Sequence, residues 1–231
     1  MKILILGGSG MLGHTFLTSW KDKFDVKVTL KENSQKYENY KLFDETNSFY
    51  NVDILGIERL TTIISSYRPD FLVNCTGITK QLSYKNNIHN ILLINSVFPH
   101  KLTQICQSYD VKLIQLSTDC VFSGKEGNYR EFDISDAEDL YGRSKYLGEV
   151  NEGNVLTLRK SSIGLELTNK HGLIEWFLNQ SGSVKGYKNA IYSGFSTSYL
   201  ASLIEEIMVK HSSLTGLFHI SSEPLSKYDL L

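Results

Sequence analysis

Lys2-Ile3-Leu4-Ile5-Leu6-Gly7-Gly8-Ser9-Gly10-Met11-Leu12-Gly13 decides the fold of this chain. The continuous apolar run Ile3–Leu6 suits a strand buried on both faces of a parallel sheet. After the glycines, Leu12, Phe16 and Trp20 recur at helical spacing, so the segment reads as strand, glycine turn, helix. Such a turn lets backbone pass close to a pyrophosphate, whose charge is favoured by the positive end of the following helix. The spacing is Gly-x-x-Gly-x-x-Gly rather than Gly-x-Gly-x-x-Gly. By itself such a loop is often only a tight turn; its place between a strand and a helix favours dinucleotide binding.

Outward from this unit the pattern repeats. Strand-like runs at Val26–Leu30, Phe71–Cys75, Val111–Ser117 and Val155–Arg159 alternate with helix-like stretches. That alternation predicts an α/β fold, a doubly wound parallel sheet with helices on both faces. Leu60, Ile63, Ile64 and Tyr67 form one amphipathic face, and Ile91, Ile94, Phe98, Leu102 and Ile105 form another. Pro99 lies inside the second and predicts a kink or break there. Residues 31–51 are polar and aperiodic, an excursion after the second strand. We expect residues 1–160 to form a dinucleotide-binding domain and residues 161–231 a smaller substrate-covering part whose last segments interleave with the main sheet. That second part holds helices near Gly172–Gln180 and Ser196–Val209 and a last strand at Leu217–Ile220. The chain stops just after Ser226 and Asp229 open a further helix, so continuation past Leu231 is expected.

With 231 residues, 41% of them hydrophobic, the chain can bury a full core. A net charge of −1 with scattered lysines and arginines argues against a nucleic-acid or membrane-surface role. Cys75, Cys106 and Cys120 are odd in number and lack Cys-x-x-Cys spacing, which points to a reducing cytoplasm rather than a disulfide framework. The six histidines are dispersed, so no metal is expected. Oligomeric state is not legible.

Chemistry is signalled by Tyr141-Gly142-Arg143-Ser144-Lys145, where a phenol and an ammonium four apart share one helix face. A phenol titrates near 10, and a neighbouring positive charge favours its phenolate. Between this pair and the glycine loop lies Ser117-Thr118-Asp119-Cys120-Val121-Phe122, at the carboxyl end of a predicted strand, where open α/β sheets bind ligands. With Val52-Asp53-Ile54, Asn74-Cys75-Thr76-Gly77-Ile78-Thr79 and Gly148-Glu149, these segments fall in one order along the chain. The set resembles the extended short-chain dehydrogenases/reductases, most closely their dTDP-4-dehydrorhamnose reductase branch.

The resemblance implies an NAD(P)H-dependent reductase of a 4-keto-6-deoxy sugar nucleotide, serving deoxysugar or cell-surface polysaccharide synthesis. Thr118 would bond the keto oxygen, Tyr141 would protonate it, and Lys145 would hold the cofactor ribose and lower the phenol pKa. Asp119 would contact the sugar. Gly7, Gly10, Met11, Leu12 and Gly13 match the pyrophosphate-binding backbone, Asp53 and Ile54 the adenine-binding pair, and Gly77, Ile78 and Thr79 the stretch beside the nicotinamide. Lys31 falls where a base would accept a 2′-phosphate, favouring NADPH, although the adjacent Glu32 leaves NADH open. Trp176, Lys188, Tyr192 and Thr197 are plausible sugar-nucleotide contacts.

Three competing functions remain. A sugar-nucleotide 4,6-dehydratase carries Thr-Asp-Glu where this chain has Cys120, which disfavours elimination. An epimerase-reductase resembling GDP-fucose synthase would use Cys120 and His171 to exchange carbon-bound protons. A regulatory subunit, like that of methionine adenosyltransferase, would bind dinucleotide without turnover.

Overall fold

A computed structural model describes residues 1–83, 87–167 and 172–231. In chain order the elements are β1 (Lys2–Leu6), α1 (Met11–Trp20), β2 (Asp25–Thr29), β3 (Ser48–Phe49), α2 (Ile57–Tyr67), β4 (Phe71–Asn74), α3 (Lys80–Ser83), α4 (Ile88–Leu92), α5 (Phe98–Ser108), β5 (Lys112–Leu116), α6 (Leu140–Leu147), β6 (Val155–Lys160), β7 (Ser162–Ile163), α7 (Leu173–Leu178), β8 (Ile191–Tyr192), β9 (Phe195–Ser196), α8 (Thr197–Lys210), β10 (Gly216–Ile220), β11 (Leu225–Ser226) and α9 (Lys227–Leu230). Seven strands form one all-parallel sheet in the order β10-β6-β5-β4-β1-β2-β3. Strand order reverses between β1 and β4, which opens a crevice at their carboxyl ends.

Alternation along β1 divides the core in two. Ile3 and Ile5 join Phe16, Trp20, Leu200 and Ile204 on the α1/α8 side, while Leu4 and Leu6 join Leu60, Ile64, Phe98 and Leu102 on the α2/α5 side. Both faces are therefore covered, which is why the strand reads as continuously apolar. Phe16 and Trp20 stack with centroids 4.6 Å apart, and Trp20 Nε1 donates to the Ala201 carbonyl at 3.1 Å, pinning α8 onto α1. Each such fully buried side chain stabilises the fold by about 1.5–3 kcal/mol. The late segments thus return to the main sheet: α8 covers it and β10 extends it beside β6.

Several local expectations change. The 31–51 excursion contains a 3₁₀ turn at Ser34–Tyr40 and the edge strand β3, with Tyr37 buried against Phe43 and Tyr50. Pro99 does not end its helix. A π turn at Leu93–Val97 precedes it, and the proline sits in the first turn of α5. A wider turn there accommodates a ring that would otherwise crowd the carbonyl four residues back. The surplus residue also rotates the inward face, so Asn95 and Ser96 are buried while Ile94 is only half-buried. Strand β2 ends at Thr29, one residue before the expected Leu30. The terminal helix does form as α9, with Ser226 accepting from the Asp229 amide at 3.1 Å.

Candidate active site

The glycine turn folds because backbone replaces side chains at its closest approach. Gly10 N–H donates to the Gly7 carbonyl at 3.0 Å, and a Cβ on Gly13 would lie 2.2 Å from that same oxygen. No side chain larger than hydrogen fits at Gly13. Gly10 caps α1 without a side-chain acceptor, so the first amides of the helix, at Met11, Leu12 and Gly13, point outward at the positive end of a ten-residue helix. A pyrophosphate fits this cradle. Thr29 closes its floor, its carbonyl accepting from Gly8 at 3.0 Å and its hydroxyl from Gly7 at 3.3 Å. Lys31 lies two residues beyond the strand end, exposed beside the equally exposed Glu32, so the ambiguity between the two cofactors persists. Asp53 is exposed and its carboxylate accepts from the Leu55 amide at 3.0 Å, a turn-capping role; Ile54 is half-buried beside it.

Across the crevice the chemistry assembles around α6. Asp139 caps this helix, accepting from the Gly142 amide at 2.9 Å. A Cβ on Gly142 would stand 2.2 Å from the Cys120 carbonyl, so the missing side chain lets α6 press against the 3₁₀ turn Asp119–Val121. That approach sets Tyr141 beside Thr118. Thr118 donates to the Asp119 carboxylate at 3.1 Å and accepts from the Cys120 amide at 3.2 Å. Asp119 is thus engaged with its neighbour while remaining exposed to the cleft.

One electrostatic expectation fails. Burial pushes the Tyr141 phenol above its ordinary value; Cys120, Asp119 and Asp139 add to the rise, and the neighbouring Thr118 hydroxyl opposes it. Lys145 is not among the causes, because its ammonium instead donates to the Leu116 carbonyl at 2.9 Å. Lys145 is itself held down to about 8, by burial first and then by Lys160, with Glu149 and Cys75 opposing. Cys120 is pushed up by burial and next by Asp119, so it is a poor source of thiolate. His171 lies outside the described residues.

Residues outside the motifs hold the parts in register. Asn95, from the π turn, accepts from the Ile78 amide at 2.8 Å and donates to the Ile78 carbonyl at 3.0 Å and to Ser144 at 3.1 Å. Ser96 donates to the Ser144 carbonyl at 2.8 Å. One asparagine therefore clamps the Gly77-Ile78-Thr79 loop to the helix bearing Tyr141 and Lys145. A Cβ on Gly77 would be 3.9 Å from the Lys145 ammonium; Ile78 is buried and Thr79 exposed, its carbonyl starting α3. Glu149 joins Ser117 at 2.6 Å to Arg159 at 2.8 and 2.9 Å, a buried pair beneath the Thr118 corner. Of the suggested sugar contacts, Thr197 is buried and bonds Thr15 at 3.3 Å, whereas Trp176 is exposed and Lys188 lies over the Tyr228 ring. Tyr192 is half-buried, its hydroxyl pushed up to about 12 by burial. Among the described residues no acid and histidine cluster could hold a metal, and no helix is long and apolar enough to cross a membrane.

Comparison with known proteins places this arrangement. The RmlD substrate binding domain family model matches residues 1–230. This chain belongs to that family. A dTDP-4-dehydrorhamnose reductase of Aggregatibacter actinomycetemcomitans is 26% identical over 99% of the chain and 76% of that protein. Alignments with three other curated relatives span under half of those proteins' lengths. Among solved structures, a hypothetical dTDP-4-dehydrorhamnose reductase of Sulfolobus tokodaii superposes with a TM-score of 0.79 at 26% identity, covering 100% of this chain and 80% of that one. The Bacillus anthracis dTDP-4-dehydrorhamnose reductase, crystallised with NADP, gives a TM-score of 0.74 at 23% identity, over 99% of this chain and 77% of its own. The RmlD family thus supplies the fold, a Rossmann-type sheet with its crevice at the β1/β4 switch point.

Proposed function

We propose that this RmlD-family chain is an NAD(P)H-dependent reductase of a 4-keto-6-deoxy sugar nucleotide. The observation that carries the reading is the meeting of Tyr141 and Thr118 at the carboxyl edge of β5, with Lys145 one turn along the same helix. When bound, the dinucleotide supplies hydride to the keto carbon. Tyr141 gives its proton to the keto oxygen as charge develops there, and Thr118 directs that oxygen toward the phenol. The raised phenol pKa suits this direction of reaction, because a proton donor must be protonated at neutral pH. Lys145, freed from the Leu116 carbonyl by a short rotation, holds the ribose hydroxyls. The outward amides of α1 hold the pyrophosphate, Asp53 and Ile54 border the adenine, and Lys31 meets the 2′-phosphate of NADPH. Asp119 faces the sugar.

Residues 161–231 cover the sugar nucleotide, and the cytoplasm, where sugar nucleotides are made, is the expected setting. The epimerase-reductase reading is disfavoured by the raised Cys120 pKa. The test is turnover: purified protein with NADPH and dTDP-4-dehydrorhamnose, followed by loss of reduced-nicotinamide absorbance. Failure to consume NADPH with this and other 4-keto-6-deoxy sugar nucleotides, despite measured cofactor binding, points to a regulatory role instead. Deuterium entering carbons 3 or 5 from solvent would rule out plain reduction.

A further inference from the structure

Lys160 belongs to none of the motifs, yet the strand register carries it to the reacting end of the cleft. On β5 and β6, Ile114 faces Leu156 and Leu116 faces Leu158, all four on the α1/α8 side of the sheet. Two residues further on, the same row sets Thr118 beside Lys160, since side chains two apart share a face. The Ser117 amide still donates to the Leu158 carbonyl at 2.8 Å, so the two chains have not parted there. From this position the Lys160 ammonium donates to Ser162 at 2.9 Å and acts electrostatically on Cys75, just past the end of β4. Register and this bond together set the side chain at the carboxyl edge of the sheet, beside the tip of β5. No carboxylate lies within ion-pairing distance of it among the described residues.

The keto carbon to be reduced carries the oxygen that Thr118 and Tyr141 address, so the ring delivering hydride must lie in contact with that carbon, over the tip of β5. That space borders the position to which the β5–β6 register carries Lys160. We propose that Lys160 holds a positive charge against the nicotinamide subsite, so that the dinucleotide carrying the neutral reduced ring binds more tightly than the one carrying the cationic oxidised ring. The inference rests on the cofactor reading above. Its physical basis is that a fixed cation in a poorly solvated cleft repels a ring that becomes cationic on losing hydride. Burial lowers the pKa of Lys160, while the Asp119 carboxylate supports its charge; that charge in turn depresses Lys145. The 2′-phosphate, pyrophosphate and adenine are common to both redox forms and cancel from the comparison. The consequence is a protein biased toward reduction, which releases spent cofactor readily.

The test is binding, without turnover. Wild type, Lys160→Met and Lys160→Arg are titrated with NADPH and with NADP⁺ at neutral pH by calorimetry, after circular dichroism has shown each to be folded. Wild type should favour NADPH by about tenfold or more. Lys160→Met should bring the two affinities within about threefold, chiefly by tightening NADP⁺, and Lys160→Arg should keep the wild-type ratio. Equal affinities in wild type, an unchanged ratio in Lys160→Met, or equal weakening of both forms would each overturn the proposal. Should Lys160→Met fail to fold, Lys160→Gln takes its place under the same criteria. If wild type binds neither form, the dinucleotide reading itself is wrong and the inference falls with it. A skewed ratio that the substitution leaves untouched sinks the inference alone.

Discussion

The two banks of the crevice are built by different means. On the α1 bank, the glycine turn works through backbone: outward amides, one carbonyl at 2.2 Å from a forbidden Cβ, and a helix end. On the α6 bank, a hydroxyl, a phenol, two ammonium groups and a buried carboxylate come from β5, α6 and β6 and meet only in three dimensions. Backbone binding is set within a dozen consecutive residues and should resist all but steric damage. Side-chain chemistry depends on the packing of distant segments and should fail one function at a time.

That contrast can be broken experimentally. The largest effect is expected from Tyr141→Phe, which removes one proton from the α6 bank: turnover should fall on the order of 10² to 10⁴-fold while cofactor affinity changes little. Undiminished turnover would sink the assignment. Next comes Arg159→Ala, which leaves Glu149 buried and unpaired where the two side chains are 4% and 6% exposed. Loss of stability of about 3–5 kcal/mol is expected in urea unfolding, whereas Arg159→Met paired with Glu149→Leu should recover much of it. On the opposite bank, Gly13→Ala forces a methyl group against the Gly7 carbonyl. A loss of about 1–3 kcal/mol and at least about tenfold weaker NADPH binding should follow, with no specific effect on Tyr141.

A fourth prediction concerns pH. Lys145 titrates at about 8 when folded and near 10.5 when not. Between those values the unfolded chain binds more protons, so this group's contribution to stability rises with pH across the window. The cation available to a ribose is lost over the same rise. Stability of wild type relative to Lys145→Met, measured in the absence of cofactor from about pH 7 to about pH 10, should therefore climb; a flat or falling difference contradicts the buried-ammonium geometry. The smallest effect belongs to the rim. Lys31→Ala should reduce preference for NADPH over NADH by about threefold to fivefold, the worth of one exposed ion pair, as read from the two dissociation constants.

How far each bank was legible in the sequence follows from the same contrast. β1, the turn and α1 were readable because periodicity, glycine spacing and helix polarity are local properties. The Tyr141, Lys145 and Thr118 trio emerged from motif order, but its electrostatics did not, since no spacing shows that Lys145 turns to the Leu116 carbonyl. Lys160 carried no signal because its neighbour Thr118 lies 42 positions away and is reached only through β5–β6 register. The inward placement of Asn95 depends on a π turn that apolar periodicity cannot reveal. The edge strand β3 was hidden in a polar stretch whose packed aromatics, buried Tyr37 and half-buried Tyr50, show neither strand nor helix spacing.

The π turn at Leu93–Val97 makes the long helix a phase shifter. Upstream, its orientation is matched to the catalytic helix; downstream, it is matched to the sheet; five residues reconcile the two. Deleting any one of them would restore uniform winding with the two ends nearly in phase, because the turn absorbs one residue more than an α-helix would hold there. The bulge that turns both Asn95 and Ser96 toward Ser144 would be lost while the hydrophobic core stayed largely intact. A single-codon deletion is thus expected to uncouple the Ile78 loop from α6 in a molecule that still folds.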